Sequence, residues 1–193
     1  MSKNAVIGLK GIHFAPIATN TDAAYVTEEA IAIPKAGSMT RTPKENTGEF
    51  YYDDELYATV SEVLGEEVEI KLGELSLELM EQLGLGTLDS SKMVLEGDFA
   101  PEEKKFAVRF VTPTVDSSIL WNYRLFTVTS VRYGDFTTKN SGAQVAEVSI
   151  KGVFRRPAMK NVKPYQIRQG EKVLSAEDME FLSRVETLPK ADA

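Results

Sequence analysis

Hydrophobic and polar positions change their spacing several times along the chain, and each change predicts an element. From Glu66 to Gly73 they alternate strictly, with Val68, Ile70 and Leu72 on one side and Glu67, Glu69 and Lys71 on the other. That predicts a half-buried strand whose outer face is charged. Past Gly73, Ser76 stands where an N-cap belongs, Glu78 falls in the first turn of a short helix, and Gly84 sits just beyond its end. Leu75 is placed to staple onto Met80. Upstream, Thr40 to Gly48 is a polar loop, β-favouring but broken by Pro43 and Gly48, and the acidic and aromatic stretch Glu49 to Glu55 returns from it. The pattern predicts an excursion that projects from the sheet.

The flanking segments read as strands. Asn4 to Ile17 is a first one, bent at Gly8 and Gly11 and near a sheet edge; Tyr25 to Pro34 is weakly patterned; Lys92 to Glu96 is short; Phe106, Val108 and Phe110 begin a longer one. Ser118 to Tyr133 is rich in aromatic and β-branched residues and too long for one flat strand, and Gln144 to Phe154 pairs with it as an antiparallel hairpin. From Arg155 the alternation dissolves into a basic, proline-punctuated arm without regular structure, containing Arg155, Arg156, Lys160 and Lys163. The arm ends in a helix from Ala176 to about Val185, capped by Ser175, with Met179, Phe181, Leu182 and Val185 as an apolar stripe; Pro189 to Ala193 should fray. About eight or nine strands result. The predicted class is mainly β: an antiparallel sandwich or partly closed barrel with one flanking helix over residues 1–156, and a C-terminal arm with a short helix over 157–193.

Composition changes this picture in two places. The chain has 193 residues and no cysteine, which excludes disulfides, thiolate zinc sites and cysteine nucleophiles. Neither an N-terminal signal core nor a run of roughly 18 apolar residues is present, so a soluble, unprocessed chain without membrane insertion is expected. The net charge of −7 is unevenly spread: Glu45 to Glu103 holds 17 acids and two bases, the rest 12 acids and 20 bases, concentrated between Lys104 and Lys172. Either the segments interleave and cancel within one fold, or they form an acidic and a basic surface that meet head to tail between copies.

Candidate chemistry subtracts rather than adds. His13, the only histidine, lies between Ile12 and Phe14 with no nucleophile motif nearby, which predicts a structural or surface role. There is no G-x-S-x-G and no phosphate loop, and Gly84-Leu85-Gly86 is followed by Asp89 where a third glycine would be needed. Asp53-Asp54-Glu55 lacks the donor spacing of a calcium loop and reads as a solvated or subunit-facing turn. The bases beyond Lys104 are interleaved with Phe106, Phe110, Tyr123, Phe126, Tyr133 and Tyr165, but these aromatics fall at strand spacing and the chain is acidic overall, against a phosphate-tracking surface as its main work. The expectation is no enzyme, no cofactor and no metal, and a protein that works through surface and shape.

Four stretches carry a resemblance: Ile7 to Ala15, Ala36 to Pro43, Phe50 to Tyr57, and Gly65 to Gly73 leading into Leu75 to Leu79. In that order and spacing they resemble the major tail proteins of long-tailed bacteriophages, of the phi13 type, over most of Ala5 to Phe154. The resemblance implies a tail-tube fold related to the needle proteins of contractile injection systems. It also implies a virion protein made in the host cytoplasm, hexameric rings whose inner strands join into one barrel, and stacked rings through which DNA passes during ejection. Implied partners are further copies, a tape-measure protein and tail terminator or distal tail proteins. On that frame, Thr40, Arg41, Thr42, Lys44, Glu45, Glu49, Phe50, Tyr51, Tyr52, Asp53 and Asp54 are expected between rings. Glu67, Glu69 and Lys71 are expected to line the lumen as part of an acidic wall. Arg155, Arg156, Lys160, Lys163, Met179, Phe181 and Leu182 are expected to dock on a neighbouring subunit. The alternative is a non-polymerising β-sandwich binding module that recognises a cell surface or carbohydrate.

Overall fold

The strictest alternation in the chain becomes part of its longest strand. The computed structural model describes residues 8–33, 36–52, 55–73, 76–89, 91–92, 94–96, 104–133 and 148–189. In chain order its elements are β1 (Lys10–Asn20), β2 (Ala24–Thr27), β3 (Ile31–Ala32), β4 (Ala36–Tyr52), β5 (Glu55–Leu72), α1 (Leu77–Gln82), β6 (Thr87–Asp89), β7 (Val94–Glu96), β8 (Lys105–Pro113), β9 (Ser118–Tyr133), β10 (Val148–Phe154), β11 (Tyr165–Gly170), α2 (Ala176–Ser183) and β12 (Thr187–Pro189). The main sheet is antiparallel in the order β12-β2-β1-β8-β9-β10-β5-β4, with β3 on β1 and β11 on β9; β6 and β7 form a separate hairpin. The protein is thus mainly β, with two helices among the described residues, and over those residues the sheet stays open rather than closing into a barrel.

Curling of this sheet brings its distant strands onto one core. Phe14 of β1 meets Phe106 and Phe126 at ring-centroid distances of 5.4 and 5.8 Å, and Ile70 and Val68 of β5 join the same cluster. Helix α1 forms where the caps predict: the Ser76 side chain accepts from the Leu79 N–H, and Gly84 follows in the left-handed region at φ 78°. It seals the core with Leu79 and Leu83, both buried, each contributing about 2–3 kcal/mol of apolar burial. The staple expected of Leu75 lies outside the described residues.

Two expectations are corrected by backbone pairing. Thr40 to Gly48 is not a loop: β4 pairs with β5 along its whole length, from Ala36↔Leu72 to Tyr52↔Glu55, with Pro43 opposite Glu66. A proline can sit there because β4 is an edge strand, whose outward N–H positions need no ladder partner. The arm is not irregular either. Tyr165–Gly170 pairs with Tyr123–Ser118 of β9, and Thr187–Pro189 pairs with β2; of the end expected to fray, Pro189 to Ala193, only Pro189 is among the described residues, and it stands opposite Ala24. Four of the six residues of β11 are exposed and none is buried, so ladder hydrogen bonds and the Arg168–Asp178 ion pair hold it, and periodicity could not reveal it. Over its described residues, segment 157–189 belongs to the same sheet as the rest.

Helix α2 docks on its own chain. Its capping box, Ser175 with Asp178, sets the first turn, and Phe181 and Leu182 pack with Val111 and Leu120 in a second, smaller core. The inter-subunit role expected of Phe181 and Leu182 is therefore corrected, since both are consumed in cis. Met179 and Val185 remain about half exposed.

Candidate functional site

The outer half of the β4–β5 hairpin is set apart from the rest of the sheet by its pairing. Strand β10 pairs with β5 only from Glu66 to Leu72. Beyond that, Glu45–Tyr52 and Glu55–Gly65 pair with each other and, among the described residues, with no other strand. The result is a two-stranded ribbon about 25 Å long at strand geometry. Its base is built for a change of direction. A register shift between Lys44 and Glu45 leaves Leu64 without an opposite residue, and a Cβ on adjacent Gly65 would sit 2.3 Å from the Phe154 carbonyl oxygen. A bulge beside a glycine bends and twists a strand pair.

Of the expected inter-ring residues, Glu45, Glu49, Phe50, Tyr51 and Tyr52 lie in the ribbon backbone; Asp53 and Asp54 fall outside the described residues. Thr40, Thr42 and Lys44 stand lower, on the polar face of the sheet. Strand alternation turns Arg41 to the opposite face. There its guanidinium lies 4.9 Å from the Trp121 ring centroid and 3.7 Å from Glu66, and it donates to the Tyr123 hydroxyl. Arg41 is thus engaged within its own subunit. Burial pushes the Tyr123 phenol up to about 12, so it stays a neutral member of this cluster.

Glu67, Glu69 and Lys71 do project from one polar face, as their alternation predicts, opposite buried Val68, Ile70 and Leu72. The acidic wall expected around them is corrected by what the neighbouring strands bring. Lys44 lies 3.1 Å from Glu67 and Lys151 3.6 Å from Glu69, while Ser149 donates to Glu69 at 2.7 Å. That hydroxyl, together with Lys151, holds the Glu69 carboxyl below its ordinary value. Register places Arg132 on the same face, and Arg155 lines the shallow depression of about 410 Å³ between these strands. Among the described residues, five bases around two acids make the face net basic. The acidity of 45–103 is a property of the linear segment, which pairing with basic β10 cancels locally.

The C-terminal segment is anchored by a buried charge network that nothing in the sequence reading anticipated. Glu186 is buried; Arg109 approaches its Oε2 at 3.2 Å, Arg124 its Oε1 at 2.9 Å, and the Asn122 amide donates to Oε2 at 2.9 Å. Arg109 also donates to the Arg184 carbonyl at 2.6 Å, and Thr27 exchanges hydrogen bonds with the Glu186 backbone. One signal was available: Arg109 interrupts the apolar run from Phe106 to Val111, and a charge there needs a buried partner. His13 sits opposite Arg109 in the ladder, and burial lowers its pKa, keeping it neutral. Among the described residues no cluster of three or more metal-ligating side chains occurs.

The expected docking arm is a surface loop. Arg155, Arg156, Lys160 and Lys163 are exposed between β10 and β11, while Pro157 and Met159 are buried beneath them. The Arg155 N–H donates to Leu125, the Arg124 N–H to the Pro164 carbonyl, and the Ala158 N–H to Asn20 Oδ1 at 2.9 Å. The bases are therefore presented from a fixed position.

No family model matches the chain. No curated protein matches it either. Among solved structures, it is similar to a chain of the six-fold symmetrised cryo-EM structure of the anti-feeding prophage (AFP) baseplate, with a TM-score of 0.43 and 12% identity over 90% of this chain and all of that one. A likeness at this level leaves function to the chain's own residues.

Proposed function

We propose that this chain is a structural protein of a bacteriophage tail: a tail-tube subunit that closes into hexameric rings, stacks them, and leaves a bore through which DNA is ejected. It catalyses nothing and holds no cofactor. The observation that carries the reading is the projecting ribbon on an edge strand, β4, that is 17 residues long and has no outer partner among the described residues. A long open edge is a template for pairing with another chain, and monomeric proteins normally blunt it. The resemblance of Ala5 to Phe154 to phage major tail proteins supports the same reading, with tape-measure and tail terminator or distal tail proteins as further partners in the virion.

Replacing residues 45–64 by a short Gly-Ser turn tests the stacking role. The Glu66–Leu72 pairing with β10 is untouched, so the variant should melt within a few degrees of the parent. Electron microscopy should then show single rings or free subunits where the parent forms tubes. Tubes of normal length from the variant would overturn the assignment.

In this reading Glu67, Glu69 and Lys71 face the bore, and the two carboxylates restrain a face that would otherwise be uniformly cationic. Glu67→Lys with Glu69→Lys leaves seven bases there, so tubes should form and retain DNA about tenfold or more over the parent at low salt, with the excess lost as salt rises. Equal retention would remove this face from the bore.

A further inference from the structure

At the foot of the ribbon lies a cleft of about 160 Å³, lined by Gly65, Tyr123, Phe154, Arg155, Arg156 and Tyr165. Its floor is aromatic: Tyr123 stacks on Phe154 at a centroid distance of 3.9 Å, and Tyr165 lies 5.6 Å from Tyr123 with about half its surface open to solvent. Ile167, two residues along β11, is equally open. Its rim is cationic. Between Val148 and Gly170 the chain has six bases and no acid, and Arg155, Arg156, Lys160 and Lys163 are exposed on the loop beside the cleft. Glu66, which also lines it, is engaged with Arg41. Two strand edges without a partner among the described residues flank the opening: the free edge of β11 and that of β5 from Glu55 to Gly65.

The ribbon carries the complementary composition. Between Glu45 and Val63 there are six acids and no base, together with Phe50, Tyr51, Tyr52 and Tyr57. The ribbon cannot serve its own cleft, because its last pair, Tyr52↔Glu55, stands about 25 Å of paired strand away from Gly65. We propose that this cleft receives the acidic, aromatic ribbon tip of a second copy of the chain, making the contact head to tail. Arg155 and Arg156 meet the tip's carboxylates, and Tyr165 and Ile167 meet its aromatic side chains, an anchor-and-charge arrangement typical of interface centres. A heterologous contact of this kind repeats along one direction, with a rise set by the ribbon's length. The inference rests on the self-assembly proposed above and specifies the surface that accepts the ribbon.

The absence of native cysteine allows a direct test. Ala58→Cys in the ribbon and Ala158→Cys beside the cleft are prepared as separate variants, mixed, and treated with a short bismaleimide. The expected product is a covalent dimer in the mixture and in neither variant alone, with the linked peptides containing residues 58 and 158. Arg155→Glu with Arg156→Glu should raise the concentration needed for assembly about tenfold or more, and adding Glu49→Lys with Glu55→Lys should recover most of that loss. Arg155 and Arg156 are exposed, and an unchanged melting temperature confirms that folding is not the readout. Tubes that form without the cross-link, and without response to the charge exchange, overturn the cleft while leaving the tube reading intact. Cross-linked chains that never form rings support the cleft and overturn the tube reading. A monomer without cross-links at any concentration overturns both, as does specific capture of a different acidic protein at the cleft for this proposal.

Discussion

Glu186→Ala should lower the stability of the subunit by about 3–5 kcal/mol, the range found when one member of a buried ion pair is removed. The loss is large because of what remains. Arg109 is almost fully buried and Arg124 nearly so, and both direct guanidinium groups at the vacated carboxylate. Arg109 cannot reach water without breaking the pairing of β12 with β2 or the docking of α2, whereas Arg124, with 13% of its side chain exposed, is the less costly of the two to leave unpaired. For a chain of this size the loss corresponds to a fall of roughly 6–20 °C in melting temperature, read by circular dichroism or calorimetry. Glu186→Gln, which keeps an acceptor but not the charge, should fall between. Arg109→Met combined with Glu186→Leu should recover part of the deficit, because an apolar pair of similar volume needs no desolvated charge. If Glu186→Ala melts with the parent, the network does not hold the C-terminal segment. The same carboxyl sets an acid limit. Burial pushes its pKa up, but the Asn122 amide and the two guanidinium groups outweigh it, and the net shift is below the ordinary 4.5. A depressed folded value means that the stabilisation is complete above the unfolded pKa and lost as pH falls through the folded one. Subunit stability should therefore hold at neutral pH and decline below about pH 4.5, and Glu186→Gln should flatten that decline.

Gly152→Ala should be nearly as damaging through a different cause. A Cβ at this position would lie 2.4 Å from the Thr127 carbonyl oxygen and 2.5 Å from two atoms of the Phe126 ring. The oxygen belongs to β9, where a register shift between Lys151 and Gly152 leaves Thr129 without an opposite residue and draws the two backbones together. Backbone cannot yield as a side chain can, so the methyl group must separate β9 from β10 or displace Phe126 from the main core. Overpacking of that kind costs about 1–3 kcal/mol even in adaptable cores, and more where backbone must move. We expect a loss above 3 kcal/mol in urea titration, or no soluble protein. Gly170→Ala is the control. Its Cβ would meet Leu120 Cδ1 at 2.9 Å, the end of a side chain that can rotate away, and the loss should stay near 1 kcal/mol. Equal effects at the two glycines would refute the backbone-clash account.

These two sites mark where local pattern stops being informative. The half-buried strand from Glu66, the Ser76 and Ser175 caps and the mainly β class were legible because each depends on residues two to four apart, and the pairing of Ser118–Tyr133 with the strand ending at Phe154 because two strand-patterned runs follow one another in sequence. Alternation and capping are local properties, and tertiary context agrees with them here. Polar pairing across strands was not legible. Thr40 to Gly48 has the composition of a loop, and only the opposing strand Glu55–Leu72 makes it the stem of a ribbon. Tyr165 to Gly170 buries almost nothing, and only β9 makes it a strand. Nor could linear charge counting locate an acidic surface, since Glu67 and Glu69 meet Lys44 and Lys151 from chain positions as far as 82 residues away. The sequence by itself determined which segments are extended, where the helices begin and that no familiar catalytic motif is present. Tertiary structure alone decided that Glu186 closes on Arg109 and Arg124, that Phe181 and Leu182 are buried at home, and that Glu45–Tyr52 pairs with Glu55–Val63 and, among the described residues, with no other strand. Each of these depends on which distant strands share an edge, and that is set by the order of the sheet rather than by any local spacing.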